Sequence, residues 1–81
     1  MGSKVVDILA QAKSNPAGVR FAHLVKLVLA MGYELKRQNG SHRVFGRAGF
    51  PTINLQPDGN KAKDYQVRQV VAIIEERNIE V

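Results

Sequence analysis

Apolar residues recur at helical spacing in three segments of the chain. Residues 4–13, 20–31 and 64–77 each carry apolar side chains at intervals of three and four, the period of one buried helix face. Gly32 stands where a glycine commonly follows the last turn of a helix. Asp64 has the residue type favoured at a helix N-cap. The pattern therefore predicts three helices, the last of them the most regular.

Between the second and third of these helices, apolar and polar residues alternate over short stretches. The alternation predicts strands over residues 33–38, 41–46 and 52–56. The dipeptide Asn39-Gly40 separates the first two stretches and is a strong signal for a tight hairpin, because both residues tolerate a positive φ. Residues 56–63 are polar and contain proline and glycine, which predicts a loop.

The order of these elements indicates the fold class. Helix, helix, three-stranded meander and helix predict an α+β domain, in which a three-stranded antiparallel sheet is packed by helices on one face. A chain of 81 residues has room for one small hydrophobic core. We therefore expect a single domain over residues 1–81.

One histidine stands out because of its neighbours. His42 begins the second predicted strand and follows Gly40, which lets a backbone approach a ligand closely, and Ser41, which offers a hydroxyl group. Histidine gains and loses a proton near neutral pH. His42 is therefore the candidate for acid–base chemistry, and an ordinary surface or hydrogen-bonded histidine is the alternative interpretation.

Alternation does not decide which way His42 points. Period-two geometry places His42 and Val44 on one side of the strand and Arg43 and Phe45 on the other. Both sides include an apolar residue, so either could face the core. The position at a strand end allows His42 to be exposed in both cases.

The chain is basic, with 12 Lys and Arg residues against 7 Asp and Glu, a net charge of +5 and an isoelectric point near 10.0. Such a domain attracts polyanions, of which nucleic acid is the commonest. Lys61 and Lys63 precede the last helix, whose free N–H groups favour an anion. Candidate RNA-binding residues are Lys36, Arg37, Arg43, Lys61 and Lys63. Ordinary solvated charge is the alternative for each.

Several kinds of site and location are not expected. The chain has no cysteine, which excludes disulfides and thiolate metal sites, and its carboxylates and histidines show no metal-ligand spacing. We therefore expect no metal and no cofactor. No apolar run approaches the roughly 18–20 residues of a membrane span, and no signal peptide is visible. A cytoplasmic protein that does not bind membranes is the expectation.

Three motifs in order resemble those of a known family. They are Gly32-Tyr33 followed by Arg37-Gln38-Asn39-Gly40-Ser41-His42, then Gly59-Asn60-Lys61, then Val67-Arg68-Gln69-Val70. In this order and spacing, over about residues 20–79, the chain resembles the HicA family of toxins, also called YcfA-like. The resemblance implies a fold similar to a double-stranded-RNA-binding domain, with residues 1–19 as an N-terminal helical extension.

The resemblance also implies an activity. Members of the family are described as mRNA interferases of type II toxin-antitoxin systems, neutralised by a cognate HicB antitoxin. The catalytic motif of the family carries over to Gly40, Ser41 and His42. Many members have a second histidine just before the Gly-Asn-Lys stretch, where this chain has Asp58. The expected function is thus a metal-independent endoribonuclease that uses a single histidine as general acid or base.

Two further functions stay open at this point. A non-catalytic RNA-binding module of the same fold would grip RNA through shape and phosphate contacts. A basic protein-interaction domain would meet an acidic partner and show no salt-dependent affinity for RNA. Catalysis requires His42 in particular, whereas a binding module tolerates its loss.

Overall fold

The computed structural model describes residues 4–81, which form a mixed α+β fold. The helices are α1 (Val5–Ser14), α2 (Phe21–Ala30) and α3 (Asp64–Arg77), with a short 3-10 turn at Pro16–Gly18. All three predicted helices are confirmed, with ends that differ by no more than one residue. No helix in this part of the chain has the length and apolar character needed to cross a bilayer.

Three strands form the predicted antiparallel sheet in the order β1-β2-β3. They are β1 (Glu34–Asn39), β2 (His42–Gly46) and β3 (Ile53–Leu55). The β1–β2 register shifts between Leu35 and Arg37, which marks a β-bulge at Lys36. The sheet is therefore a meander with β2 in the centre, as the sequence predicts.

The prediction of a loop over residues 56–63 is wrong in one respect. It contains a second, two-stranded hairpin of β4 (Pro57–Asp58) and β5 (Lys61–Ala62). An isolated bridge between Arg20 and Lys61 fixes this hairpin to the start of α2. The second hairpin is thus part of the folded body rather than a free loop.

The core lies between the sheet and the helices. Phe45, Ile53 and Leu55 on one face of the sheet are at most 1% exposed. They belong to one cluster with the buried residues of the helices, which include Leu24, Leu27 and Val28 of α2 and Val67, Val70 and Ile74 of α3. The helices therefore cover a single face of the sheet, and the other face is open.

Helix α1 belongs to this core. It packs against both α2 and α3, and its Ile8 and Ala12 are 1% and 2% exposed. The N-terminal extension of the sequence thus contributes buried surface to the same cluster and is not an appended arm.

Aromatic and guanidinium groups fix the loop between β2 and β3. The Tyr33 hydroxyl donates to the Pro51 carbonyl at 2.7 Å, and the Tyr33 and Phe50 rings meet edge to face. Arg47 Nη1 donates to the Met31 carbonyl at the end of α2, also at 2.7 Å. The Arg47 guanidinium lies 4.0 Å from the centre of the Phe50 ring, so one side chain ties this loop to a helix terminus.

The predicted helix ends are confirmed in one case and wrong in another. Gly32 follows Met31, the C-cap of α2, and has a φ of +88°, as expected of a glycine just after a helix. The N-cap of α3 is Lys63 rather than Asp64, and no side chain caps the helix. The Asp64 carboxylate lies instead 3.7 Å from Arg68 Nη2 in an exposed i, i+4 pair.

We predict that Ile8→Ala destabilises the protein by about 2–5 kcal/mol, because it leaves a cavity between α1 and its neighbours. Urea unfolding measures the change in the free energy of unfolding. Val6→Ala on the same helix is the matched control: Val6 is 59% exposed, and its loss costs within about 0.5 kcal/mol. Equal effects of the two substitutions would contradict the placement of α1 in the core.

We predict that Tyr33→Phe lowers the free energy of unfolding by about 1 kcal/mol at neutral pH, through loss of the hydrogen bond to Pro51. Burial raises the pKa of Tyr33 above 10.0, against the lowering effect of the Arg77 and Arg47 charges. The folded protein therefore keeps the phenol proton at pH values just above 10, at which the unfolded chain releases it.

This stabilisation is fully present below pH 10 and is lost as the pH rises through the folded-state pKa of Tyr33. Unfolding curves recorded from neutral to alkaline pH should thus fall more steeply above pH 10 for the wild type than for Tyr33→Phe. Parallel curves for the two proteins would show that Tyr33 titrates alike in both states.

Candidate active site on the open face of the sheet

The turn before His42 is built on a single glycine. Asn39 pairs with His42 across the hairpin, so the two-residue loop is Gly40-Ser41 rather than the predicted Asn39-Gly40. Gly40 has a φ of +62°, and Asn39 and Ser41 do not have a positive φ. Glycine at the first loop position is typical of a type II′ turn, which suits the twist of the strands.

The buried side of β2 decides the direction of His42. Phe45 is 1% exposed and faces the helices, so alternation turns His42 and Val44 to the open face. His42 is exposed there, at the first position of the strand. The structure thus settles the question that alternation in the sequence left open.

Five side chains line a shallow depression on this open face: Arg37, Asn39, His42, Val44 and Asn54. They come from all three strands, with Val44 paired to Arg37 on one side and to Asn54 on the other. The depression is open to solvent and suits a substrate that lies across a surface. Only Arg37 among the five brings a permanent positive charge beside His42.

The predicted RNA-binding residues fall into separate groups. Lys36 shares the open face with Arg37, where both line a neighbouring depression; its Nζ lies 3.0 Å from Glu34 Oε2. Arg43 lies on the opposite face of the sheet, with its guanidinium 5.0 Å from the centre of the Phe21 ring. The bulge in β1 leaves Lys36 and Arg37 on the same face, and alternation along β2 turns Arg43 to the other face.

Lys61 and Lys63 lie beside the second hairpin and the start of α3. Both line a depression with Asp58, Asp64 and Tyr65. Lys63 Nζ is within 3.4 Å of Gln56 Oε1. These two lysines therefore form a second basic position, built from elements other than those that carry His42.

Short contacts connect this second position to the His42 end of the sheet. Arg43, next to His42, packs on Phe21. The Phe21 N–H donates to the Asn60 carbonyl. The next residue, Lys61, pairs through its backbone with Arg20 in an isolated β-bridge. The two basic positions thus lie at the same end of the molecule, joined by Arg43 and Arg20.

Sequence reasoning missed two residues of this region. Asn54 stands between Ile53 and Leu55 in β3, so alternation along this strand was a signal that could have placed it on the face away from the core. Arg20 carried no signal, because its neighbour Lys61 comes from a hairpin that the sequence did not indicate. Both side chains are exposed.

No second histidine lies beside His42. His23 is half-buried in α2, on the covered side of the sheet. Asp58 occupies β4, at an exposed position in the second hairpin. Within residues 4–81, no group of three or more His, Cys, Asp or Glu side chains is placed to hold a metal ion.

Comparison with known proteins identifies the family. The family model described as the HicA toxin of bacterial toxin-antitoxin matches residues 21–76, more than half of the chain. No curated protein and no solved structure shows significant similarity. The matched segment begins at the first residue of α2, so that α1 lies outside it. The resemblance read from the sequence is thus confirmed, and the chain belongs to the HicA family, the toxin components of bacterial toxin-antitoxin systems.

Proposed function

We propose that this toxin is a metal-independent endoribonuclease, an mRNA interferase, in which His42 is the single general acid or base. The observation that supports it best is the position of His42. Its imidazole is exposed at a strand end, directly after the Gly40-Ser41 turn, in a depression that also contains a guanidinium. Proton transfer requires an accessible group, and cleavage of a polyanion requires a cation beside it.

The reaction uses the nucleophile that RNA carries. The 2′-oxygen attacks the adjacent phosphorus as its proton passes to the His42 imidazole, and a new O2′–P bond forms. The P–O5′ bond breaks, and the leaving 5′-oxygen takes a proton from water or a lysine. His42 then returns its proton to solvent. The products are a 2′,3′-cyclic phosphate and a 5′-hydroxyl, and a positioned histidine contributes about 10²–10⁴-fold to the rate.

The distribution of cations supports a path for the RNA. Lys36 and Arg37 accompany His42 on the open face, and Lys61 and Lys63 form a second basic position at the second hairpin. A backbone that crosses the open face and continues over the second hairpin meets positive charge at both positions. Phosphate contacts of this kind supply affinity without sequence preference.

The antitoxin partner is proposed to be of the HicB type and to cover the His42 face. A basic surface that binds phosphates presents the same field to carboxylates, so an acidic antitoxin surface fits it. Protection of His42 from chemical modification in the complex tests this arrangement. Full reactivity would indicate that the antitoxin binds elsewhere.

We predict that His42→Ala abolishes RNA cleavage and growth inhibition and leaves the fold intact, because His42 is exposed and its truncation costs within about 0.5–1 kcal/mol. Cleavage of a radiolabelled RNA in the presence of EDTA measures the activity. The wild type should keep its rate in EDTA and give cyclic phosphate ends, since the proposed step needs only the 2′-hydroxyl and the imidazole.

Gln38→Ala is the matched control for this substitution. Gln38 is an exposed position of β1 near the same hairpin and does not line the depression. Cleavage by His42→Ala within threefold of the wild type would contradict the proposal. Loss of wild-type activity in EDTA with recovery in magnesium would also contradict it.

We predict that Lys61→Ala combined with Lys63→Ala weakens RNA binding for all sequences. The slope of log K against log salt should become shallower by about 0.7 for each phosphate contact that is lost on single-stranded RNA. Binding titrations at several salt concentrations measure it, with His42→Ala as the control that keeps the wild-type slope. An unchanged affinity and slope would place the RNA away from the second hairpin.

A further inference from the structure

The depression around His42 has an apolar floor between two polar side chains. Val44 on the central strand is paired with Arg37 on β1 and with Asn54 on β3. The three residues thus form one row across the open face. His42 lies two positions earlier on β2 and faces the same way, so that Arg37 and Asn54 are its diagonal neighbours, at about 7–8 Å between backbones.

The polar side chains in this arrangement are unengaged. Among residues 4–81, those of Arg37, His42 and Asn54 form no hydrogen bond or ion pair with the protein. Arg37 therefore keeps all five N–H donors, and Asn54 keeps both donors of its amide. The neighbouring Lys36 differs, because its ammonium group is hydrogen-bonded to Glu34.

We propose that the scissile phosphodiester binds over Val44, between Arg37 and Asn54. One non-bridging oxygen accepts hydrogen bonds from the Arg37 guanidinium, and the other accepts one from Asn54 Nδ2. The 2′-oxygen then lies towards His42, at the edge of the row. This assignment rests on the proposed ribonuclease function and adds a specific phosphate site to it.

The geometry favours Arg37 and Asn54 over the other candidate RNA-binding residues as the phosphate site. In the phosphorane, negative charge develops on both non-bridging oxygens, so donors on two sides of the phosphorus stabilise it better than one. Arg43 lies on the opposite face of the sheet, and Lys61 and Lys63 lie at the second hairpin. The methyl groups of Val44 offer no competing hydrogen bond, so the phosphate is held from its two sides.

Binding of inorganic phosphate tests the site without reference to cleavage. The probe is the Cε1–H resonance of His42, followed by NMR during phosphate titration of the wild type, Arg37→Gln, Asn54→Ala and Thr52→Ala. Thr52 is exposed and lines the adjoining part of the open face, which makes it the matched control. We expect saturable shifts in the wild type and the control, a dissociation constant raised at least tenfold in Arg37→Gln, and a smaller increase in Asn54→Ala.

Single-turnover cleavage tests the role in the reaction. Arg37→Gln should lower the rate constant by about 10²–10³-fold and Asn54→Ala by at least tenfold, as expected when a donor to a developing oxyanion is removed. The affinity for an RNA that carries a 2′-deoxy sugar at the cleavage site should fall by no more than the affinity for inorganic phosphate does. A loss in rate that exceeds the loss in affinity marks a contact that strengthens in the transition state.

The outcomes separate this proposal from the function on which it rests. Identical phosphate titrations in all four proteins, or His42-dependent cleavage at the wild-type rate in Arg37→Gln and Asn54→Ala, would overturn the phosphate site and leave the ribonuclease intact. A wild type that binds phosphate as expected but cleaves no RNA would refute the ribonuclease and leave the anion site.

Discussion

Burial of Phe45 against the helices determines the direction of every other side chain in the central strand. Because successive residues of a strand face opposite sides, Phe45 in the core forces Val44 and His42 outward and Arg43 inward. A slip of one residue in this strand would bury the imidazole and expose the phenyl ring. The candidate chemistry of the toxin thus depends on one aromatic contact on the far side of the sheet.

The same constraint divides the positive charge of the chain. Arg37 stays with His42 on the open face, whereas Arg43 passes to the covered side and packs on Phe21 at the start of α2. From there, backbone contacts lead to the second hairpin and Lys61. The arrangement separates Arg37, which lines the depression of His42, from Arg43 and Lys61, which do not.

The sequence was sufficient for the helices and the meander, because their periodicities extend over several turns or several alternations. It was insufficient for the second hairpin, since β4 and β5 have only two residues each and β4 begins with a proline, Pro57. It was also insufficient for the direction of His42. Val44 and Phe45 are both apolar, and only the packing of the helices determines which of the two is buried. The resemblance to the family implied the candidate motif Gly40-Ser41-His42, but the neighbours of His42 on the other strands could be named only from the register of the sheet.

The outer edge of β1 has a consequence for the behaviour of the free toxin. An edge strand presents unpaired backbone groups, to which a strand of a second molecule can add. Here that edge is interrupted by the bulge at Lys36 and carries Arg37 next to it. A bulge and adjacent like charges oppose such pairing between two copies. The bulge and the cations beside it therefore oppose self-association of the protein through this edge of the sheet, next to the open face that carries His42.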